Sequence, residues 1–320
     1  MRVLLTGGTG YLGRAVAQAL ASRGHDVVVF SRHATASGLP GTPFDGDVRN
    51  ADDLRRAAKG CEGLVHTAAL VSIWQRRRED FDDVNVGGLR NAIAAARDAG
   101  ITRFVYTSSF LARAPHGESA PVSANDYQRT KIAADAVADE AVRAGCPLVR
   151  VYPGVVYGPG SKTEGNMLGR LINDHLKGRL PALVGADMPW SFSYVDDVAA
   201  GHCEALVRAR PGARYALGGE NATPARAFEI VSKLTGRRAP GRMPYGVADA
   251  LGLAEECRVA LFGGTPLVTR GAVEIFRHDW SLDSSDAIRD LQYTITPLDE
   301  GIRRTLSSFS VTSRRSPAGE

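Results

Sequence analysis

No apolar run in the 320 residues approaches the roughly 18 needed to cross a bilayer, so no membrane partner is expected. The four cysteines, Cys61, Cys146, Cys203 and Cys257, lie far apart and include no C-x-x-C pair. That argues against a disulfide framework and a metal site, and reads as reduced thiols in a cytoplasmic protein. An excess of one charge is missing too. The formal net charge of +4 is spread along the chain apart from Arg76-Arg77-Arg78, and no RNA or DNA motif occurs, so nucleic acid is not an expected partner. With Met1 one residue before the first strand pattern, no signal peptide is expected. No internal repeat is evident. What remains is ordinary globular composition, 44% hydrophobic and 23% charged, long enough for one large α/β domain or two modest ones.

The first thirteen residues, MRVLLTGGTGYLG, organise the rest. Val3-Leu4-Leu5 is a short continuous apolar run, as in a strand buried on both faces. Thr6 to Gly10 is a turn nearly free of side chains, and from Tyr11 a helical pattern puts Leu12, Val16, Ala19 and Leu20 on one face. Strand, glycine turn and helix in that order form a phosphate site. The turn must reverse tightly, the backbone must approach a pyrophosphate, and the helix must pack close to its strand; each need excludes a Cβ. Gly8, Gly10 and Gly13 fit G-x-G-x-x-G, and Gly7, Gly10 and Gly13 fit G-x-x-G-x-x-G. Gly7, Gly10, Tyr11, Leu12 and Gly13 are therefore the candidate pyrophosphate contacts, the alternative being a purely structural turn.

The second strand, Asp26 to Phe30, ends in Phe30-Ser31-Arg32-His33, with no carboxylate to hold an adenosine ribose and repel a 2′-phosphate. Arg32 can pair with a phosphate and Ser31 can donate to it, which favours NADP(H) over NAD(H); alternatively Arg32 stacks on adenine or faces solvent. Asp47, beside Val48, either accepts from the adenine amino group or caps a turn. Gly63 to His66 is the fourth-strand candidate, and the small residues Thr67-Ala68-Ala69 after it leave room for the cofactor at Ala68. His66 reads as a packed strand-end histidine. Trp74 either sits in a solvated loop or borders a substrate opening. Phe81 to Ala99 carries a long helical pattern whose Asn85 touches the cofactor ribose, orders the active-site backbone or fixes helix packing.

Arg103 to Ser109 is a strand running out into two serine hydroxyls. Eighteen residues after Ser109 comes Tyr127-Gln128-Arg129-Thr130-Lys131 in a helical pattern from Asp126 to Arg143. Tyrosine and lysine four apart share a helix face, and an ammonium near a phenol lowers the phenol pKa from about 10. A hydroxyl at the strand end can polarise the same carbonyl, so the set suits proton transfer coupled to hydride transfer. Pro147 to Tyr152 is the next strand, and Pro153 to Gly160 is the turn at its ligand-bearing end. Beyond it, helices are expected over Met167–Lys177, from an Asp196 or Asp197 cap through Val207, and over Ala225–Leu234. Short strands are expected over Ser191–Val195 and Arg214–Leu217. The apolar-rich helical stretch Gly241–Phe262 either roofs a greasy pocket, packs plainly or meets another subunit.

TGGTGYLG, the T-S-S strand end, YQRTK, YPGVVYGPG and SYVDDVA together resemble the extended short-chain dehydrogenase/reductase superfamily, over residues 1–308. Within it the chain is most similar to dihydroflavonol-4-reductase-like and farnesol dehydrogenase-like members. The resemblance implies a doubly wound parallel α/β sheet (a Rossmann fold) with a smaller C-terminal substrate-binding α/β lobe. The core would span residues 1–160 with contributions from 191–218, the lobe 161–308, and a disordered tail 309–320. It makes Tyr127 the acid/base, Lys131 the holder of the nicotinamide ribose and Ser109 the residue that orients the substrate oxygen, with Ser108 as alternative. It puts Arg32 at the adenosine ribose or its phosphate, Asp47 and Val48 by adenine, and Tyr152, Pro153 and Val156 around the nicotinamide. Trp74, Phe110 and Tyr157 are candidate substrate contacts, and a homodimer through the helices around 81–99 and 126–143 is implied.

Three departures stand out. The gap from Ser109 to Tyr127 is short, trimming the lid 110–125; Tyr194 replaces a common histidine; and no carboxylate follows the strand-end serines, which disfavours dehydration. The expected activity is thus a reductase or dehydrogenase acting on a hydrophobic ketone, aldehyde or alcohol. The alternatives are a nucleotide-sugar epimerase, needing a diphosphate clamp from Arg170, Arg179, Arg208 or Arg214, and a non-catalytic dinucleotide-binding regulator.

Overall fold

The computed structural model describes residues 1–313, with side chains through Phe309. The strands are β1 (Arg2–Thr6), β2 (Asp26–Ser31), β3 (Thr42–Asp45), β4 (Gly63–His66), β5 (Arg103–Thr107), β6 (Leu148–Pro153), β7 (Val155–Tyr157), β8 (Ala182–Val184), β9 (Trp190–Tyr194), β10 (Arg214–Leu217), β11 (Glu220–Ala222) and β12 (Gly241–Met243). The helices are α1 (Tyr11–Ser22), α2 (Ala51–Ala58), α3 (Glu79–Phe81), α4 (Gly88–Asp98), α5 (Asp126–Arg143), α6 (Met167–Leu176), α7 (Val195–Arg208), α8 (Pro224–Thr235), α9 (Tyr245–Phe262), α10 (Arg270–Ile275), α11 (Ser285–Leu291) and α12 (Leu298–Ser313). Seven strands form one parallel sheet in the order β10-β6-β5-β4-β1-β2-β3. Three more pair as β11-β9-β7, and β12 pairs with β8.

The continuous apolar runs are explained by burial on both faces of the large sheet. Val3, Leu5, Val27, Val29, Val65 and Val105 point to one side, onto Val16 and Leu20 of α1 and Val198 and Leu206 of α7. Their alternates, Leu4, Val28, Phe30, Leu64 and Phe104, point to the other, onto Leu54 of α2, Leu89 and Ala92 of α4 and Ala134 of α5. Burial of each such side chain contributes roughly 1.5–3 kcal/mol, so a one-residue slip would be opposed on both faces at once. A third cluster, with Leu168, Leu183, Trp190, Phe192, Phe228 and Trp280, fills the space under the two small sheets.

Several elements differ from the sequence reading. The helical pattern over 81–99 is broken by a π-turn at Asp82–Gly87, and that turn carries Asn85. Neither Asp196 nor Asp197 caps α7. Its N-cap is Tyr194 without a side-chain bond, while Asp197 accepts from the Thr296 N–H at 2.6 Å and hydroxyl at 2.9 Å. The Gly241–Phe262 stretch opens as β12, and α9 leaves Leu261 and Phe262 76% and 82% exposed, so its apolar residues are not all core. Helix α12 runs through Ser313, into the stretch read as a tail, and residues 314–320 lie outside those described. Among the described residues no helix is long and apolar enough to cross a membrane.

Candidate active site

Strand order reverses at β1, which has β2 on one side and β4 on the other, so a crevice lies between the carboxyl ends of β1 and β4. Gly7 holds φ +71°, and a Cβ there would come 2.6 Å from the Ala68 nitrogen. A Cβ on Gly13 would lie 2.1 Å from the Gly7 carbonyl oxygen, which also accepts the Gly10 N–H at 2.9 Å. Gly10 caps α1 with no side-chain bond, leaving the helix start as an open backbone cradle for an anion. Leu12 is half-buried in the packing against the sheet. The Tyr11 ring lies against Gly158 and Gly160, with its buried hydroxyl unpartnered among the described residues. At the end of β2, Ser31 is buried and Arg32 is exposed and makes no ion pair among the described residues. These features fit a dinucleotide: a pyrophosphate on the glycine turn and an adenosine end near Arg32.

Across the crevice, α5 brings the candidate catalytic residues to the ends of β5 and β6. Asn125 caps α5, its side chain accepting the Gln128 N–H at 2.9 Å, and Arg78 grips Asp126 with bonds of 2.9 and 2.8 Å. Tyr127 is half-buried, and the Ser109 side chain lies beside its phenol. Lys131, 2% exposed, donates to the Thr107 carbonyl at 3.0 Å, and its Nζ is 6.0 Å from the Tyr127 ring centre. Burial pulls the Lys131 ammonium down to about 8, opposed by the charge of Asp135. Burial pushes the Tyr127 phenol up to about 12, and only the neighbouring Ser109 side chain opposes it. The expected lowering of the phenol by Lys131 is therefore corrected: loss of solvent outweighs an ammonium that points at a backbone carbonyl.

The two serines have different partners. Ser109 accepts the Leu111 N–H at 3.2 Å and meets Tyr127, whereas Ser108 donates to Asp135 at 2.7 Å. Asp47 binds Arg49 through Nε and Nη2, at 3.1 and 2.6 Å, which holds its carboxyl below the usual range and serves the turn. Val48 is buried against Gly88, and Ala68 is half-buried beside Gly7. Tyr152 is 2% exposed and donates to Asp135 at 2.6 Å; Pro153 is buried and Val156 half-buried. Trp74 is half-buried in the loop after β4, its N–H bonded to Ser72 at 3.2 Å.

Two candidate substrate contacts are corrected. Tyr157 is fully buried against Phe192 and Tyr194, at 6.5 and 5.8 Å between ring centres, with no surface left for a substrate. Phe110 is packed edge-on to Trp280 at 5.4 Å and near Trp190 at 6.3 Å, so it is a wall of the third cluster. The third cluster also borders an apolar cavity of about 130 Å³, lined by Leu168, Leu171, Leu183, Trp190, Phe228 and Phe276 among others.

Asn85 and two residues beyond the sequence reading, Gln128 and Asp135, hold the site together. Asn85 accepts the Leu70 N–H at 2.7 Å and donates to Thr130 at 3.0 Å, so of its three readings the structure shows the ordering of site backbone and helix. Gln128, fully buried, donates to the Leu111 carbonyl at 3.2 Å and accepts the Ala124 N–H at 3.0 Å, tying down the short lid. Asp135 joins Ser108 and Tyr152. Its one sequence signal is spacing: it follows Lys131 by four and Tyr127 by eight, on the same helix face.

Residues 3–218 match the family model described as the NAD dependent epimerase/dehydratase family. A putative dihydroflavonol 4-reductase of Synechocystis sp. is 33% identical over 306 residues, covering 90% of this chain and 88% of that one. A UDP-glucose 4-epimerase of Streptomyces lividans is 32% identical over 302 residues, covering 80% of this chain and 89% of that one. Among solved structures, the crystal structure of gox2253 superposes with a TM-score of 0.81 at 30% identity, over 98% of both chains.

Proposed function

The chain belongs to the NAD dependent epimerase/dehydratase family of extended short-chain dehydrogenases/reductases, and from that premise we propose that it reduces a hydrophobic ketone or aldehyde with NADPH. The observation that carries the reading is the convergence of Ser109, Tyr127 and Lys131 at the ends of β5 and α5. A bound reduced nicotinamide supplies the hydride that the carbonyl carbon accepts. Ser109 donates to the substrate oxygen and orients it. Tyr127 gives its phenolic proton to that oxygen as the C–H bond forms, leaving an alcohol. A phenol near 12 is protonated at neutral pH and so carries the proton that reduction requires. Lys131 holds the nicotinamide ribose, and Gly7, Gly10, Tyr11, Leu12 and Gly13 hold the pyrophosphate. In this reading the cofactor core is 1–160 with the part 191–218, and the substrate lobe is 161–308.

The apolar cavity beside Trp190 supports a hydrophobic substrate, being close in size to engineered apolar cavities that hold a benzene ring. The epimerase reading needs cations for a sugar diphosphate. Arg170 is paired with Glu164, Arg208 with Glu204 and Arg214 with Asp139, which leaves Arg179 of the four candidates.

The test is oxidation of NADPH and NADH, followed by nicotinamide absorbance, with a panel of hydrophobic ketones and aldehydes and the matching alcohols in reverse. Turnover with NADPH is expected. Cofactor that stays bound through purification and interconverts sugar nucleotides without net oxidation would overturn the reading in favour of the epimerase. With Tyr127 and Lys131 titrating as above, reduction is expected to hold level from pH 6 to 7 and decline as Lys131 deprotonates near 8. Arg32→Ala is expected to weaken NADPH about 10- to 100-fold, the range for a lost charge-assisted bond, and to change NADH little. Equal losses for both cofactors would remove Arg32 from the 2′-phosphate.

A further inference from the structure

Asp135 projects from the face of α5 that carries Tyr127 and Lys131, and both of its carboxylate oxygens are taken. Oδ1 accepts from the Ser108 hydroxyl at 2.7 Å and Oδ2 from the Tyr152 hydroxyl at 2.6 Å. Ser108 lies between Thr107, whose carbonyl accepts Lys131, and Ser109, which meets Tyr127. Tyr152 belongs to β6, the next strand. One side chain thus ties together the three elements that must stay in register for Ser109, Tyr127 and Lys131 to address a common substrate. Beneath it, Arg150, 1% exposed, donates to the Asp135 carbonyl at 3.3 Å and pairs with Asp139 at 2.5 Å, bracing the same helix against β6.

Charge gives Asp135 a second effect. The titratable groups facing Lys131 are His66 from β4, Tyr106 from β5, and Tyr127 and Asp135 from its own helix, while Tyr152 and Arg150 of β6 face Asp135. His66 is buried and, at about 3, neutral; the three phenols are pushed up and neutral; Arg150 is a cation. Asp135 supplies the negative charge of the group.

We propose that Asp135 is a positioning residue of this site, clamping the Ser108–Ser109 strand end and Tyr152 to the helix of Tyr127 and Lys131 and supplying the countercharge to the Lys131 ammonium. The inference rests on the reading of Tyr127 and Lys131 given above, but its test needs no substrate. Binding of NADPH and of NADH is titrated against pH by nicotinamide fluorescence, using the full-length protein. In the wild type, affinity falls as Lys131 loses its proton near pH 8. Asp135→Asn is expected to move that midpoint down by about one pH unit, the lower end for loss of a close opposite charge. Asp135→Glu restores it, and Ser108→Ala with Tyr152→Phe leaves it in place because the carboxylate remains. Asp135→Ser provides the same midpoint test should Asp135→Asn fail to fold. A folded variant lacking the carboxylate whose midpoint does not move would overturn the proposal, since loss of a merely structural role acts evenly across pH. A protein that turns over nothing in the ketone panel sinks the proposed reaction and leaves this titration readable.

Discussion

Tyr127→Phe is expected to lower kcat for carbonyl reduction by about 100- to 10,000-fold, the range attributed to a positioned acid or base. At about 1.4 kcal/mol per tenfold, that is roughly 3–5.5 kcal/mol of barrier. The substitution removes one oxygen and keeps the ring, which packs against the third cluster. Fold and cofactor affinity should therefore survive, and the loss should fall on kcat rather than on cofactor Kd. The Ser109 hydroxyl keeps the Leu111 N–H it accepts, so the strand end has no reason to rearrange. Steady-state kinetics with NADPH, beside a melting curve, separate the two effects. Activity within threefold of wild type in a folded variant would remove Tyr127 from proton transfer.

The second large effect is expected at the glycine turn. Gly13→Ala places a Cβ 2.1 Å from the Gly7 carbonyl oxygen and 2.9 Å from the Gly8 Cα, both backbone atoms that no rotamer can move aside. Relief requires α1 to lift from β1, against the burial of Val16, Ala17 and Leu20 on the sheet. Overpacking of this kind costs typically 1–3 kcal/mol and occasionally more, and a backbone contact belongs at the upper end. Because the same turn forms the anion cradle, NADPH and NADH should both weaken by at least about 100-fold if the shift costs about 3 kcal/mol of bound geometry. A fall in Tm and a loss of both cofactors are read by calorimetry and fluorescence. Wild-type binding of either cofactor by Gly13→Ala would show that the phosphates do not sit on this turn.

Much of the architecture was legible because it is written locally. Val3-Leu4-Leu5 and Asp26 to Phe30 are apolar without alternation, which a strand tolerates only when helices cover both faces, and the parallel sheet supplies those helices. The Tyr127–Lys131 spacing placed both residues on one face of α5 because helix periodicity is a property of sequence alone. Legibility failed where partners come from far along the chain. Tyr157 looked accessible in a Gly-Pro turn, yet β9 and α12 close over it. The π-turn at 82–87 has no periodic signature, since one wide turn leaves the apolar pattern of Val84, Val86 and Leu89 nearly intact.

What the sequence determined by itself is the alternation of strands and helices in the large sheet, the open glycine turn, and the presence of a tyrosine, a lysine and two serines at strand and helix ends, all matters of spacing and steric size. Tertiary structure alone decided which serine meets the phenol, that Lys131 turns onto the Thr107 carbonyl, and that Asp135 joins the elements around them. It also reversed the direction of the Tyr127 shift. A pKa follows the solvent removed and the charges assembled around a group, and both come from chain segments that only the fold brings together.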